Sequence, residues 1–107
     1  MKTYGEMRSF LESCGVRGVE LSDESGRARV YLVPEWQGRV ITSTATGTGG
    51  PGYGWINRSL IASGVRKSRF NPFGGEERLW LGPEGGPFSL YFAPGAEQVY
   101  ANWQVPA

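Results

Sequence analysis

Polar and aromatic side chains of the kind that bind sugars are concentrated between residues 71 and 84. Carboxylates, guanidinium groups and amides can hydrogen-bond neighbouring hydroxyls in pairs, and an indole ring packs on the C–H face of a sugar ring. Glu76 is one of these polar residues, and Trp55 and Asn57, which lie earlier in the sequence, are of the same kinds. The candidate carbohydrate-binding residues are Trp55, Asn57, Asn71, Glu77, Arg78, Trp80 and Glu84.

The same residues have a purely structural alternative. Glu76, Glu77 and Glu84 lie close to Arg78 in sequence, so they can pair with it inside the fold, and Trp80 can be a core residue. Carboxylate pairs also raise the possibility of glycoside hydrolysis by Glu77 or Glu84. Their separation, which would distinguish retaining from inverting chemistry, cannot be derived from the sequence.

Histidine is absent, and Cys14 is the single cysteine. Ser-His-Asp and Cys-His catalysis are therefore excluded within this sequence, as are His-ligated and cysteine-rich metal sites. A formal G-x-G-x-x-G is present at Gly47, Gly49 and Gly52, but Pro51 lies inside it and no βαβ unit surrounds it. We predict no cofactor, no metal and no catalysis by this chain alone.

The charge balance limits the partners. Eleven basic and ten acidic residues give a net charge of +1, which provides no strong attraction for nucleic acid or an anionic membrane surface. No apolar run approaches the roughly 20 residues of a membrane-spanning helix. We therefore predict neither nucleic acid nor a membrane as a partner.

The elements that must position the candidate residues are mostly strands. Seventeen glycines and seven prolines among 107 residues disfavour a helical bundle, and 14 aromatic residues favour strands. One short helix is predicted at the start, because Tyr4, Met7, Leu11 and Cys14 form a single apolar stripe that ends at Gly15.

Three strands of an antiparallel meander are predicted next, at residues 19–22, 28–33 and 39–44, with a hairpin turn at residues 23–26. Residues 47–54 are expected to form a long mobile loop. Asn57 is positioned to cap a short helix that ends at Gly64. Two further strands are predicted at residues 78–81 and 88–92, and a last one is possible in the tail.

The block Gly74-Gly75-Glu76-Glu77-Arg78-Leu79-Trp80-Leu81-Gly82-Pro83-Glu84-Gly85-Gly86 resembles a motif near the start of galactose mutarotase-like (aldose 1-epimerase-like) proteins. It looks closest to a bacterial branch of that β-supersandwich superfamily. Val33-Pro34 with Gly38-Arg39-Val40-Ile41, and Gly54-Trp55-Ile56-Asn57, are also similar to that branch. The resemblance covers about residues 28–92.

The resemblance implies a sugar-directed, all-β fold, an antiparallel sandwich or partly closed barrel with one short N-terminal helix. It also implies that residues 1–107 are one β-rich domain, the N-terminal portion of a larger sandwich. Catalytic mutarotases use a histidine acid, which this chain lacks. We therefore expect carbohydrate recognition, with two alternatives: an interaction module that forms a homo-oligomer or strand-swapped assembly through exposed strand edges, or a carboxylate-based enzyme.

Overall fold

A short helix packed on a three-stranded antiparallel sheet forms the centre of the protein, as seen in a computed structural model. The structure describes residues 3–67, 70–79, 86–88 and 92–103. Helix α1 spans Tyr4–Ser13, the strands are β1 (Val19–Ser22), β2 (Arg29–Val33) and β3 (Arg39–Thr44), and helix α2 spans Arg58–Ser63. Short 3-10 helices cover Pro34–Trp36 and Tyr100–Asn102.

Helix α1 begins and ends where its sequence predicts. The Thr3 hydroxyl accepts a hydrogen bond from the Glu6 amide (3.1 Å), which caps the first turn. At the other end the Gly15 amide donates to Glu12 and the Val16 amide donates to Leu11, both at 3.0 Å. Gly15 has a φ of 78°, so this is a Schellman termination, which favours glycine.

The predicted meander is confirmed, with the strand order β1-β2-β3. The β2–β3 register shifts after Tyr31, which pairs with Thr42, whereas Leu32 pairs with Val40. Ile41 is therefore the extra residue of a β-bulge. The bulge turns both Ile41 and Thr42 into the interior, where each is fully buried.

The core lies between the inner face of the sheet and the helices. The buried residues of α1 are Tyr4, Met7 and Leu11, and Cys14 packs beside them, as the stripe predicts. The rest of the buried hydrophobic cluster is Tyr31, Val33, Trp36, Ile41, Ile56, Ile61 and Phe73. Trp36 and Phe73 stack with their ring centroids 3.9 Å apart.

The outer face of the sheet is apolar and open at β1. Val19 is 48% exposed and Leu21 is 58% exposed, whereas the neighbouring Glu20 points inward and is half-buried. Val30 and Leu32 pair with these residues on the same face and are half-buried. The sheet thus has one face packed on the helices and one apolar face partly in solvent.

The glycine-rich loop at residues 47–54 is tied to α1, whereas we expected a long mobile loop. The Tyr4 amide donates to the Gly50 carbonyl and the Gly5 amide donates to the Thr48 carbonyl, both at 2.9 Å. The otherwise unpaired amides of the first helical turn thus find acceptors in this loop. The loop supports the helix start.

Helix α2 matches its prediction. The Asn57 side chain accepts a hydrogen bond from the Leu60 amide (3.2 Å), and Gly64 ends the helix with a φ of 70°. In the described part of the chain, no helix is long and apolar enough to span a membrane.

The later strand predictions fare differently. Arg78 and Leu79 lie outside any strand, and the rest of the predicted strand at residues 78–81 falls outside the described residues. Phe88 lies in a turn and Phe92 is buried, but residues 89–91 between them are also outside the description. In the tail, Tyr100–Asn102 form a 3-10 helix where a strand was considered possible.

Candidate functional site

The segment at residues 74–77, the first part of the predicted sugar-binding block, lies along the free edge of β3. The Glu76 amide donates to the Val40 carbonyl (2.8 Å), and the Val40 amide donates to the Glu77 carbonyl (2.7 Å). On its other side the segment is joined to Trp55, whose carbonyl accepts a hydrogen bond from the Gly75 amide (2.6 Å). The segment is therefore held between β3 and the residues that precede α2.

Two consecutive glycines allow this close approach. Gly74 and Gly75 have φ values of 94° and 104°, which residues with a Cβ rarely adopt. A Cβ on Gly75 would lie 2.9 Å from the Val40 carbonyl oxygen, and one on Gly74 would collide with the Trp55 carbonyl oxygen. The Gly-Gly pair thus lets the backbone reach β3 and Trp55 simultaneously.

A cavity of about 330 Å³ lies beside this segment. Its wall combines backbone groups with side chains of both charges. The lining residues in the described part of the chain are Arg39, Gly74, Gly75, Glu76, Glu77 and Arg78. Glu77 is exposed and Arg78 is half-buried. The volume lies at the lower end of the range for small-ligand pockets, which is roughly 300–1,000 Å³.

The indole of Trp55 stands at the rim of this region. The side chain is 66% exposed. It lies close to Gly74, because a Cβ added to Gly74 would be 2.8 Å from Cε3 of the indole. Exposing an indole to this degree leaves apolar surface in water. Trp55 therefore places an accessible aromatic face next to a glycine of the cavity wall.

Arg39 is a buried residue of the cavity wall, and it is not among the predicted site residues. Its side chain donates to the Gly74 carbonyl (3.0 Å) and to the Gln37 side-chain oxygen (3.3 Å), and its guanidinium lies 5.9 Å from the centre of the Phe73 ring. Arg39 is only 5% exposed. The sequence signal for this role is an arginine at the start of a strand rich in β-branched residues, because an arginine buried there needs hydrogen-bond partners.

The acidic residues of the block have separate positions. The carboxylate of Glu76 accepts hydrogen bonds from the Ser43 amide (3.1 Å) and hydroxyl (2.9 Å), so it fastens the segment to β3. Glu77 contributes its carbonyl to the β3 edge and lines the cavity. Glu84 and Trp80 lie outside the described residues.

Both candidate asparagines hold the backbone. Besides capping α2, Asn57 donates from its amide to the Pro72 carbonyl (3.2 Å). Asn71 is 3% exposed, and its amide group accepts from the Lys67 amide (2.7 Å) and donates to the Lys67 carbonyl (2.9 Å). Neither residue lines the cavity. Of the seven candidates, Glu77 and Arg78 are therefore brought together in its wall, with Trp55 beside it.

A second polar cluster lies at the opposite edge of the sheet, around Glu20. Its carboxylate accepts hydrogen bonds from Arg8 (2.7 Å), Arg29 (2.7 Å) and the Tyr4 hydroxyl (2.9 Å). Burial alone would raise the pKa of Glu20, but the hydrogen bonds from Arg8 and Tyr4 and the two positive charges lower it overall. Burial and the Glu20 hydrogen bond raise the pKa of Tyr4. This cluster joins α1 to β1 and β2.

Metal binding finds no support in this part of the molecule. Across the described residues, no group of three or more histidine, cysteine, aspartate or glutamate side chains could hold a metal ion. Cys14 is half-buried and has no cysteine partner, since it is the single cysteine of the sequence.

Comparison with known proteins places the whole chain in one family. Residues 2–107 match the sequence model of a family of unknown function, DUF6786. The chain belongs to the DUF6786 family. No curated protein and no solved structure matches it. The resemblance to galactose mutarotase-like proteins therefore stays a prediction, and the site has to be interpreted from its own geometry.

Proposed function

We propose that this DUF6786 chain binds a carbohydrate in the cavity beside β3, and that it does so without catalysis of its own. The observation that carries the proposal is the placement of an exposed indole next to a small cavity lined by guanidinium and carboxylate groups. Trp55 provides the apolar platform, and Glu77 and Arg78 provide hydrogen-bonding groups suited to hydroxyl pairs.

Several features favour a polar, uncharged ligand of modest size. The cavity volume of about 330 Å³ accommodates one sugar ring. Among the described residues, its lining contains Arg39 and Arg78 against Glu76 and Glu77, and the formal charges of these four balance. Bound hydroxyls can donate to a carboxylate and accept from a guanidinium, and this environment provides both. A highly charged ligand would gain nothing from a balanced wall.

The carboxylate-based enzyme is the weaker alternative. Of the described carboxylates in the block, Glu76 is engaged by Ser43 and serves to attach the segment. The sequence has no histidine to act as the acid of a mutarotase. We expect fresh α-glucose and α-galactose to equilibrate at the buffer rate in the presence of the protein, as followed by polarimetry.

We also propose that the three-stranded sheet is one layer of a sandwich or partly closed barrel. The support is its apolar outer face, on which Val19 and Leu21 are about half exposed and Val30 and Leu32 are half-buried. A sheet of this kind gains stability when a second layer covers it. The mutarotase-like resemblance gives the same expectation.

The binding proposal is tested by titrating the protein with D-glucose, D-galactose and their oligosaccharides, using calorimetry or ligand-observed NMR. Trp55→Ala and Glu77→Gln are each expected to weaken the affinity about tenfold, since each removes one aromatic or charge-assisted contact. Phe88→Ala is the matched control, because Phe88 is 69% exposed and does not line the cavity.

Two results would overturn this proposal. One is the absence of saturable binding to any sugar of the panel. The other is an equal loss of affinity in Phe88→Ala and Trp55→Ala, which would indicate nonspecific adsorption to exposed aromatic rings.

A further inference from the structure

Strand β1 has a backbone edge that pairs with no other strand among residues 3–67, 70–79, 86–88 and 92–103. Within the described residues, no main-chain hydrogen bond outside the sheet involves residues 19–22. The Asp23 amide donates to the Ala28 carbonyl (3.0 Å), and hydrogen-bonded pairs alternate along an antiparallel ladder. It follows that the main-chain groups of Leu21 face β2, whereas those of Glu20 and Ser22 face outward.

This edge also lacks the usual protection against pairing. Edge strands are commonly blocked by lysine, proline or a bulge. The sequence of β1, Val-Glu-Leu-Ser, contains neither residue, and its register with β2 is uninterrupted. Its one charged side chain, Glu20, is neutralised by Arg8 and Arg29. Nothing in the strand therefore repels another strand.

We propose that β1 pairs antiparallel with β1 of a second copy of this chain, to give a two-fold symmetric dimer with a continuous six-stranded sheet. The register in which residue 20 of one copy lies opposite residue 22 of the other uses the outward main-chain groups of both residues in both strands. The main chain of Glu20 in each copy then hydrogen-bonds the main chain of Ser22 in the other copy. The two Leu21 residues face each other across the symmetry axis as a non-hydrogen-bonded pair.

Three further observations favour this occupant. The two Leu21 side chains, each 58% exposed, meet on the apolar face of the joined sheet. The two Glu20 carboxylates are not directly opposed in this register. Arg17 precedes β1 and Asp23 and Glu24 follow it, so each end of one strand meets the opposite charge on its antiparallel partner. A parallel pair would place like charges together.

The dimer is tested by sedimentation velocity from micromolar to hundreds of micromolar protein. We expect a reversible monomer–dimer equilibrium, and Leu21→Lys should raise its dissociation constant by about tenfold or more, because two lysines would face each other at the axis. Val65→Lys is the matched control. Like Leu21, Val65 is an exposed aliphatic residue (53%), but it lies outside the sheet, so the dimer of this variant should dissociate as in the wild type.

A cross-linking experiment tests the register independently of any loss of affinity. In a Cys14→Ala background, the Leu21→Cys thiols of two copies should form a disulfide readily, because facing residues of a non-hydrogen-bonded pair have Cα atoms about 4.5 Å apart. Val19→Cys lies opposite Asp23 in this register and should cross-link more slowly, as should Val65→Cys.

A wild-type protein that stays monomeric at hundreds of micromolar overturns the proposal. So does a Leu21→Cys disulfide that forms no faster than the Val65→Cys disulfide. Faster cross-linking of Val19→Cys than of Leu21→Cys would overturn the register and with it the symmetric pairing argued above. These outcomes are independent of sugar binding, because β1 and the cavity lie at opposite edges of the sheet.

Discussion

Replacing Glu20 by glutamine is expected to destabilise the protein substantially, although Glu20 lies on an edge strand. The change removes the charge that pairs with Arg8 and Arg29 at 2.7 Å and sets an amide group against two guanidinium groups. The three charged side chains are 24–29% exposed, so solvent screens them only in part. Removing one partner from a fully buried pair costs about 3–5 kcal/mol, and exposed pairs contribute about 0–1 kcal/mol.

An intermediate loss of about 2 kcal/mol follows for Glu20→Gln. For a domain of this size that corresponds to a fall of roughly 8–12 °C in the melting temperature. The matched control is Glu12→Gln, which makes the same chemical change beside the same arginine. Glu12 is 58% exposed and lies 3.7 Å from Arg8, so its loss should cost less than about 0.5 kcal/mol.

The pH dependence provides a second, independent measurement. The pKa of Glu20 is lower in the folded protein than its ordinary value of 4.5. Its ionised form therefore stabilises the fold above pH 4.5, and this contribution is lost as the pH falls through the lowered value. Urea denaturation followed by tryptophan fluorescence should show the wild type and Glu20→Gln converging in acid. A cost no larger than that of Glu12→Gln, or a difference independent of pH, would refute the argument.

Two further predictions concern other parts of the fold. Tyr4→Phe should lose about 1 kcal/mol at neutral pH, since it leaves Glu20 with one hydrogen bond fewer. The pKa of Tyr4 is raised on folding, so its neutral form stabilises the fold below pH 10, and this contribution is lost as the pH rises above 10. Tyr4→Phe should therefore lose less stability in alkali than the wild type, as measured by urea denaturation. Gly75→Ala should cost about 3 kcal/mol, whereas Gly15→Ala, with a φ of 78° and open space around it, should cost about 1 kcal/mol, as measured by thermal melts. Equal losses in the two alanine variants would show that contact with Val40 is unimportant.

The elements that the sequence could predict are those that depend on local signals. The stripe of Tyr4, Met7 and Leu11 with Gly15 after it determines α1, because both the buried face and the terminus depend on residues within the helix. Asn57 and Gly64 determine α2 in the same way. The meander was also predictable, since its strands are consecutive and joined by short turns.

The orientation of β1 was not predictable from alternation alone. Val19 and Leu21 would be expected to face the core, but Glu20 faces it instead. The reason is that Tyr4 and Arg8 of α1 and Arg29 of β2 converge on one carboxylate. Those contacts compensate for the exposure of two aliphatic side chains, and a one-residue shift of register would lose them all.

The sequence predicts which residue types are concentrated near the candidate site, but it does not predict what each of those residues contacts. Residue types that bind sugars are concentrated at residues 71–84. However, the side-chain oxygen and nitrogen of Asn71 both hydrogen-bond the main chain of Lys67, and the Glu76 carboxylate accepts a hydrogen bond from Ser43. Such roles depend on residues 4 to 33 positions away, so neither spacing nor residue type reveals them. The same is true of Arg39, whose contact with Gly74 is brought about by the fold.

The two edges of the sheet therefore have different chemistry, and this separates the two proposals physically. The β3 edge is occupied by a segment that glycines bring close and Glu76 fastens, which leaves a fixed cavity wall suited to a small polar ligand. The β1 edge has outward main-chain groups beside exposed Leu21, which suits another strand. Because β2 lies between them, pairing at β1 extends the sheet without covering the cavity. A dimer would then present two such cavities at the far edges of one sheet, and a branched or repeating glycan that reaches both would bind more tightly than a single sugar ring.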